Sequence, residues 1–262
     1  MRVDPAFFVY ARQALLPLPL VDRAPGAAPG ALPPFEARPD PGLAGKHVVG
    51  ADGSGASVAM IGTARAFEEA GVAPERISAC SASALWGTMW AAGTTADEMA
   101  AHALAWRPEA HLGVQWTGLP RFALSALRGF SGLDRHDALE QLFDRRTWRM
   151  SAGHTEIPFR VLAYELERRR FKFLGTETTP ELTLGELARV AVAPPRKSEA
   201  VRIEGRFYVD ARAADGFDPA RLREGEVFDC GAGAPDFYSV FLDRRRWPEA
   251  IRAGYDAATR TP

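Results

Sequence analysis

Apolar residues along this chain fall in short blocks, and the blocks switch between a strand period and a helix period. Lys46-His47-Val48-Val49 is a short apolar run closed by Gly50 and predicts a strand. The glycine-rich stretch Gly50–Ala56 follows, and then a helical pattern runs to about Ala70, where Gly71 supplies a stop. Arg76-Ile77-Ser78-Ala79 predicts a second strand. It gives way after Cys80-Ser81-Ala82-Ser83 to a small-and-apolar helix beginning at Ala84. Thr95 and Glu98 have the spacing of a capping box for a helix ending near Trp106, and Thr183 and Glu186 repeat it for a helix through about Val190. Phe159–Leu166 alternates and predicts a strand, with Arg170–Leu174 returning as its hairpin partner. Val201-Arg202-Ile203 and Arg206-Phe207-Tyr208-Val209 flank Glu204-Gly205, a second hairpin signal. Glu226–Cys230 predicts a late strand and Trp247–Thr259 a closing helix.

The order strand, turn, helix, strand, turn, helix predicts an α/β fold with a parallel βαβ core. Ligands in such folds bind at the carboxyl ends of the strands, where both special turns fall. Residues 24–45 are dense in Pro, Gly and Ala and hold neither a long helix nor a central strand. The expected organisation is an N-terminal arm and linker over residues 1–45, suited in composition to a lid, and one α/β domain over 46–262. The apolar run Ala14–Val21 is broken by Pro17 and Pro19 and is too short to span a bilayer. Two cysteines, Cys80 and Cys230, make no disulfide framework and point to a reducing, cytoplasmic setting. A net charge of −1 gives no reason to expect a nucleic-acid partner. The local runs Arg168-Arg169-Arg170 and Arg244-Arg245-Arg246 read either as solvated strand ends or as sites of peripheral contact with anionic lipid headgroups. No HExxH, CxxC or Cys/His cluster predicts a metal, and no cofactor is called for.

Ser81 is the first chemical candidate. A serine on a sharp strand-to-helix turn has its hydroxyl lifted clear of the sheet, provided the residues two before and two after it are small. Here they are Ala79 and Ser83. The same serine also reads as a helix N-cap. Cys80 beside it is a rival nucleophile, with packing as its ordinary role. Gly53, Ser54 and Gly55 can present unobstructed backbone N–H groups to an oxyanion, and the N–H of Ala82 would join them at a helix start. For a base, Asp210 ends an apolar strand and is followed by small residues; its bland reading is a turn cap. A Ser-His-Asp arrangement remains open, with His154 the best placed of five histidines.

Taken together these residues resemble the patatin-like phospholipase family. The resemblance runs through Gly62, Arg65 and Phe67–Val72, then Ile77–Ala84 and Trp90–Gly93, then Ile157-Pro158-Phe159 and Ala163. It continues through Arg189–Pro195, Gly205–Asp210 and Ile251–Tyr255, and so covers about residues 46–258. It implies a three-layer α/β/α fold with a mainly parallel central sheet and a serine–aspartate dyad of Ser81 and Asp210 without histidine. It also implies hydrolysis of acyl esters of lipids, or acyl transfer, on an ester or thioester substrate. The family's GxSxG reads Ala79-Cys80-Ser81-Ala82-Ser83 here, and its Asp-Gly-Gly reads Asp210-Ala211-Arg212. Its glycine loop falls on Asp52–Ser57 with Ala56 in place of the arginine or, shifted by one or two residues, on Gly50–Gly55 with Ser54 there; both registers lack the arginine. Those lost glycines also fit a non-catalytic relative that binds an acyl ligand or a partner.

Overall fold

The computed structural model describes residues 42–51, 57–106, 137–195, 198–223, 227–230 and 246–260. Residues 1–41 of the N-terminal arm and linker, Gly53, Ser54, Gly55, His111, His136, Glu226 and the pair Arg244-Arg245 lie outside the described residues. In chain order the elements are β1 (His47–Gly50), α1 (Ala59–Glu69), β2 (Arg76–Ala79), α2 (Ser83–Ala91), α3 (Ala96–Ala105) and α4 (Asp137–Arg146). Then come β3 (Phe159–Glu165), β4 (Arg170–Gly175), α5 (Leu184–Ala191), β5 (Val201–Ile203), β6 (Arg206–Asp210), β7 (Val227–Asp229) and α6 (Trp247–Arg260).

Local chemistry sets most of these boundaries. Both predicted capping boxes form: Thr95 and Glu98 close the start of α3, Thr183 and Glu186 that of α5. Each satisfies two backbone donors that the first helical turn would otherwise leave orphaned, a contribution of about 1 kcal/mol. At Glu204-Gly205 both residues have positive φ (47° and 79°), which is the twist a two-residue hairpin needs to join β5 to β6.

The seven strands form one sheet, in which β7, β1, β2 and β3 run parallel and β4, β6 and β5 antiparallel to their neighbours. Helices flank it. Val48, Ile77, Ala79, Phe159 and Val161 point into the main core with Met60, Phe67, Leu85 and Trp86 from the helices. Val49, Cys80 and Leu162 alternate to the opposite face, where they pack with Leu222. Strands buried on both faces account for blocks that read as nearly continuous apolar runs.

Strand β3 is the organising element. Residues 160–165 pair with β4 along one edge, Arg160 opposite Gly175 through Glu165 opposite Arg170. The other edge is shared: Phe159–Val161 pair with β2, and Ala163–Glu165 pair with β6. So β2 runs up the lower half of that edge, β6 runs down the upper half, and their ends meet near the level of Ala163.

Helices α1 and α6 cross against each other at two glycines. A Cβ on Gly62 would lie 1.8 Å from the Ile251 carbonyl oxygen, and one on Gly254 would lie 1.9 Å from the Ala59 carbonyl oxygen. The backbones therefore approach more closely than any side chain permits. Ile251 and Tyr255 on one side and Phe67 on the other are fully buried in the same core. Among the described residues no helix is long and apolar enough to cross a membrane.

Candidate active site

The meeting of β2 and β6 places Ser81 beside Asp210. Beyond Ala79 the chain leaves the sheet through Cys80, whose N–H donates to the Gly50 carbonyl at 3.0 Å. Ser81 then takes a left-handed conformation, φ 49°, and α2 starts at Ser83. For a residue other than glycine that conformation costs on the order of 1–2 kcal/mol. The surroundings hold it there: the Ser81 carbonyl accepts from Ala84 N–H at 3.1 Å, and its hydroxyl donates to Asp210 Oδ2 at 2.9 Å. A strained serine at a strand-to-helix turn, half-buried and bonded to a carboxylate, is the arrangement of a nucleophile elbow.

Asp210 is 4% exposed. Burial pushes its carboxyl up from the usual 3.8 to about 6, against the hydrogen bonds from the Arg212 N–H and the Ser81 hydroxyl and the charge of the Arg212 guanidinium. Its two oxygens divide the two readings made from sequence. Oδ1 accepts from Arg212 N–H at 2.9 Å and so caps the 3-10 turn Ala211–Ala213. Oδ2 faces the serine. The turn cap orients the carboxylate for the other contact.

Helix α2 starts without a side-chain cap, and the Ala82 N–H has no acceptor among the described residues. All nine residues of α2 are buried, so its amino-terminal dipole acts in a poorly screened setting. Gly53, Ser54 and Gly55 lie outside the described residues, but the residue that leads into their loop is described. The Ala51 carbonyl accepts from the Arg212 guanidinium, which ties the turn after Asp210 to the root of that loop.

The smaller glycine complement of this elbow is compensated one strand away. Ser83 stands where the family motif has its second glycine, and Gly50 at the end of β1 lies against it. A Cβ on Gly50 would come within 2.7 Å of Ser83 Cβ and 2.4 Å of Met60 Cε. The Met60 methyl can swing aside, whereas Ser83 Cβ is fixed to the helix backbone. Gly50→Ala is therefore expected to cost about 2 kcal/mol of stability and to slow chemical labelling of Ser81. Adding Ser83→Gly should recover most of the labelling rate. Thermal melts and labelling time courses on the two variants check this, and an additive double variant would contradict it.

The other sequence candidates separate. Cys80 is fully buried on the opposite face of the sheet, with its thiol toward the Ala51 carbonyl at 3.5 Å, so it is a packing residue. His154 does not reach the serine. It sits in the turn Ala152–His154 that enters β3 at its amino end, whereas Ser81 leaves the parallel β2 at its carboxyl end; its ring bonds Ser151. His47 bonds the buried Ser78 hydroxyl at 2.8 Å, and His102 bonds Arg146 at 3.0 Å. Among the described residues no three His, Cys, Asp or Glu side chains gather as a metal site would. Sequence reasoning missed the parts played by Gly50 and Arg212. A glycine ending a strand beside the elbow is a readable signal for the first, but nothing local marks Arg212.

Comparison with known proteins bears on the family and the fold. The sequence model described as patatin-like phospholipase matches residues 52–219. Among solved structures, the type III effector protein ExoU superposes with a TM-score of 0.52 at 12% identity, covering 83% of this chain and 52% of that one. The ExoU–SpcU heterodimeric complex from the type III secretion system of Pseudomonas aeruginosa matches with a TM-score of 0.45 at 14% identity, over 82% of this chain and 52% of that one. VipD from Legionella pneumophila gives 0.44 at 14% identity, over 70% and 49%. The chain thus spans about half the length of each of these proteins, and the likeness to ExoU is one of fold. No curated protein matches the sequence.

Proposed function

This chain belongs to the patatin-like phospholipase family, and on that premise we propose that it is a serine acyl hydrolase of lipid esters, with Ser81 as nucleophile and Asp210 as base. The observation that carries the reading is the 2.9 Å hydrogen bond from a left-handed Ser81 to a buried Asp210. In the proposed cycle Asp210 takes the hydroxyl proton as Ser81 Oγ attacks the ester carbonyl. The oxyanion forms against the Ala82 N–H and the N–H groups expected from Gly53, Ser54 and Gly55. Collapse expels the alcohol, which receives the proton from Asp210. Water, deprotonated by the same carboxylate, then attacks the acyl carbonyl, the bond to Ser81 Oγ breaks, and Oγ recovers the proton from Asp210; an alcohol in place of water would give acyl transfer. A thioester substrate would follow the same steps.

A carboxylate raised toward neutrality suits this work. A base operates best when its pKa lies close to the working pH, and burial supplies that shift here. The ionised form of Asp210 is the competent one. Labelling of Ser81 by a fluorophosphonate is therefore expected to be slow at pH 5, to rise with a midpoint near 6 and to level off above about pH 7. Intact mass and peptide mapping would locate the adduct. An adduct elsewhere, or none on folded protein, would move the reading to a non-catalytic relative that binds an acyl ligand.

A further inference from the structure

At the end of the sheet that carries Ser81, the β3–β4 hairpin and the β5–β6 turn rise together as a crest. Side chains of directly opposed strand residues share a face, so Asp210, Ala163 and Lys172 form one row and Tyr208, Glu165 and Arg170 the next, roughly 7 Å further out. The surroundings of the outer row are cationic. Glu165 has no exposed side-chain surface and is met by three guanidinium groups: Arg206 at 2.6 Å, Arg170 at 2.9 Å and Arg168 at 3.4 Å. One carboxylate neutralises one of these charges and holds the others in place, and the three arginine side chains keep between a third and a half of their surface exposed.

The neighbouring groups leave the excess intact. Across residues 164–172 and 201–208 there are six cations and three carboxylates, in a chain whose net charge is −1. Of the carboxylates besides Glu165, Glu167 accepts the Phe207 N–H with both oxygens, and Glu204 sits at the β5–β6 turn. Arg169 is exposed at the hairpin tip in a left-handed conformation. The crest is also amphipathic. On its other face the half-buried Tyr164 and Phe171 pack edge to face at 5.1 Å, and Arg221 stacks on Phe171 with its guanidinium 4.7 Å from the ring centre. Arginines beside half-buried aromatic rings suit the headgroup region of a bilayer.

We infer that this crest docks the chain on anionic lipid bilayers, with the Ser81 end of the sheet turned toward the surface. The inference rests on the reading of that end as the lipid-facing one, but its test needs no turnover. Full-length Ser81→Ala protein is sedimented with phosphatidylcholine vesicles, with and without phosphatidylglycerol. Binding is expected only where phosphatidylglycerol is present. Adding Arg168→Gln and Arg169→Gln should weaken it about thirty-fold, at about five-fold per arginine lost near an anionic surface. The control removes the same charge at the opposite end of the sheet, with Arg145→Gln and Arg149→Gln, and should change binding less than two-fold or so. Equal binding to neutral vesicles, full binding by the crest variant, or an equal loss in the control would each overturn the proposal. So would displacement by inorganic phosphate at matched ionic strength, which would indicate a discrete anion site instead of a surface. Fluorophosphonate labelling of the crest variant with Ser81 intact is expected at the unaltered rate, so a failure of docking and a failure of the dyad read out separately.

Discussion

Asp210→Asn is expected to yield a protein that melts at a higher temperature and no longer cleaves esters. The two effects share a cause. An aspartate in the unfolded chain ionises near 3.8, and Asp210 in the folded chain near 6. Between those values the folded state holds a proton that the unfolded state has lost, so this group's own contribution to stability is greatest below pH 3.8 and is lost as pH rises through 6. At neutral pH the ionised carboxylate costs the fold about 3 kcal/mol at most, and a neutral asparagine removes that cost. Asparagine can still accept from the Arg212 N–H and pair with the Ser81 hydroxyl, so the elbow keeps its shape. It cannot take the serine proton, and turnover is expected to fall on the order of 10⁴-fold. Ser81→Ala should be equally inactive but no more stable, because it removes a hydrogen bond and keeps the buried charge. Melting curves and ester hydrolysis at pH 5 and pH 8 separate the outcomes. A stabilised Asp210→Asn variant that still turns over would remove Asp210 from the chemistry, and an unchanged melting temperature at pH 8 would mean that the carboxylate is better solvated than its burial implies.

The second large effect is structural. Gly254→Ala would place a methyl group 1.9 Å from the Ala59 carbonyl oxygen, and Gly62→Ala one 1.8 Å from that of Ile251. Alanine is the better helix former by about 1 kcal/mol, so on propensity alone both changes would stabilise. The contact outweighs this, because the obstructing atoms are backbone and move only if α1 and α6 separate. Separation would loosen Phe67, Ile251 and Tyr255, which are buried together. Each variant is expected to lose about 3 kcal/mol, a fall in melting temperature on the order of 10 °C. The exposed α3 residue Ala101, changed to glycine, should lose only about 1 kcal/mol and serves as the propensity control. A glycine-to-alanine variant as stable as the parent would show that the crossing relaxes without loss.

Elements whose cause is local were legible in the sequence. The capping boxes at Thr95 and Thr183, the Glu204-Gly205 hairpin and the strands around Val48, Ile77 and Val161 all stand where short-range pattern puts them. The late strand begins at Val227 and the closing helix spans Trp247–Arg260, within a residue of expectation. The pairing of Ser81 with Asp210 was implied by the family resemblance; periodicity carried no sign of it, because the contact depends on β2 and β6 sharing one edge of β3. The rival histidine shows the same limit. His154 lies near a strand in sequence, but which end of the sheet that strand presents is decided by parallel pairing with β2. Gly50 at a strand end was a readable signal, but its contact with Ser83 was not, since that depends on β1 lying beside β2. The arginine run at 168–170 was visible, while its anchor on Glu165 and its third neighbour Arg206 come together only through β3, β4 and β6.

The shared edge of β3 has a bearing on when such a protein can act. The two groups of the proposed dyad are 129 positions apart in the chain and lie at the ends of strands that share one edge of β3. Ribosomes deliver Ser81 long before Asp210, and in the interval the proposed base is missing and the serine hydroxyl lacks the carboxylate that helps hold its left-handed turn. A nick or truncation between β3 and β6 severs the same link. If the dyad is the proposed one, ester cleavage waits on a chain that is both complete through β6 and folded around β3.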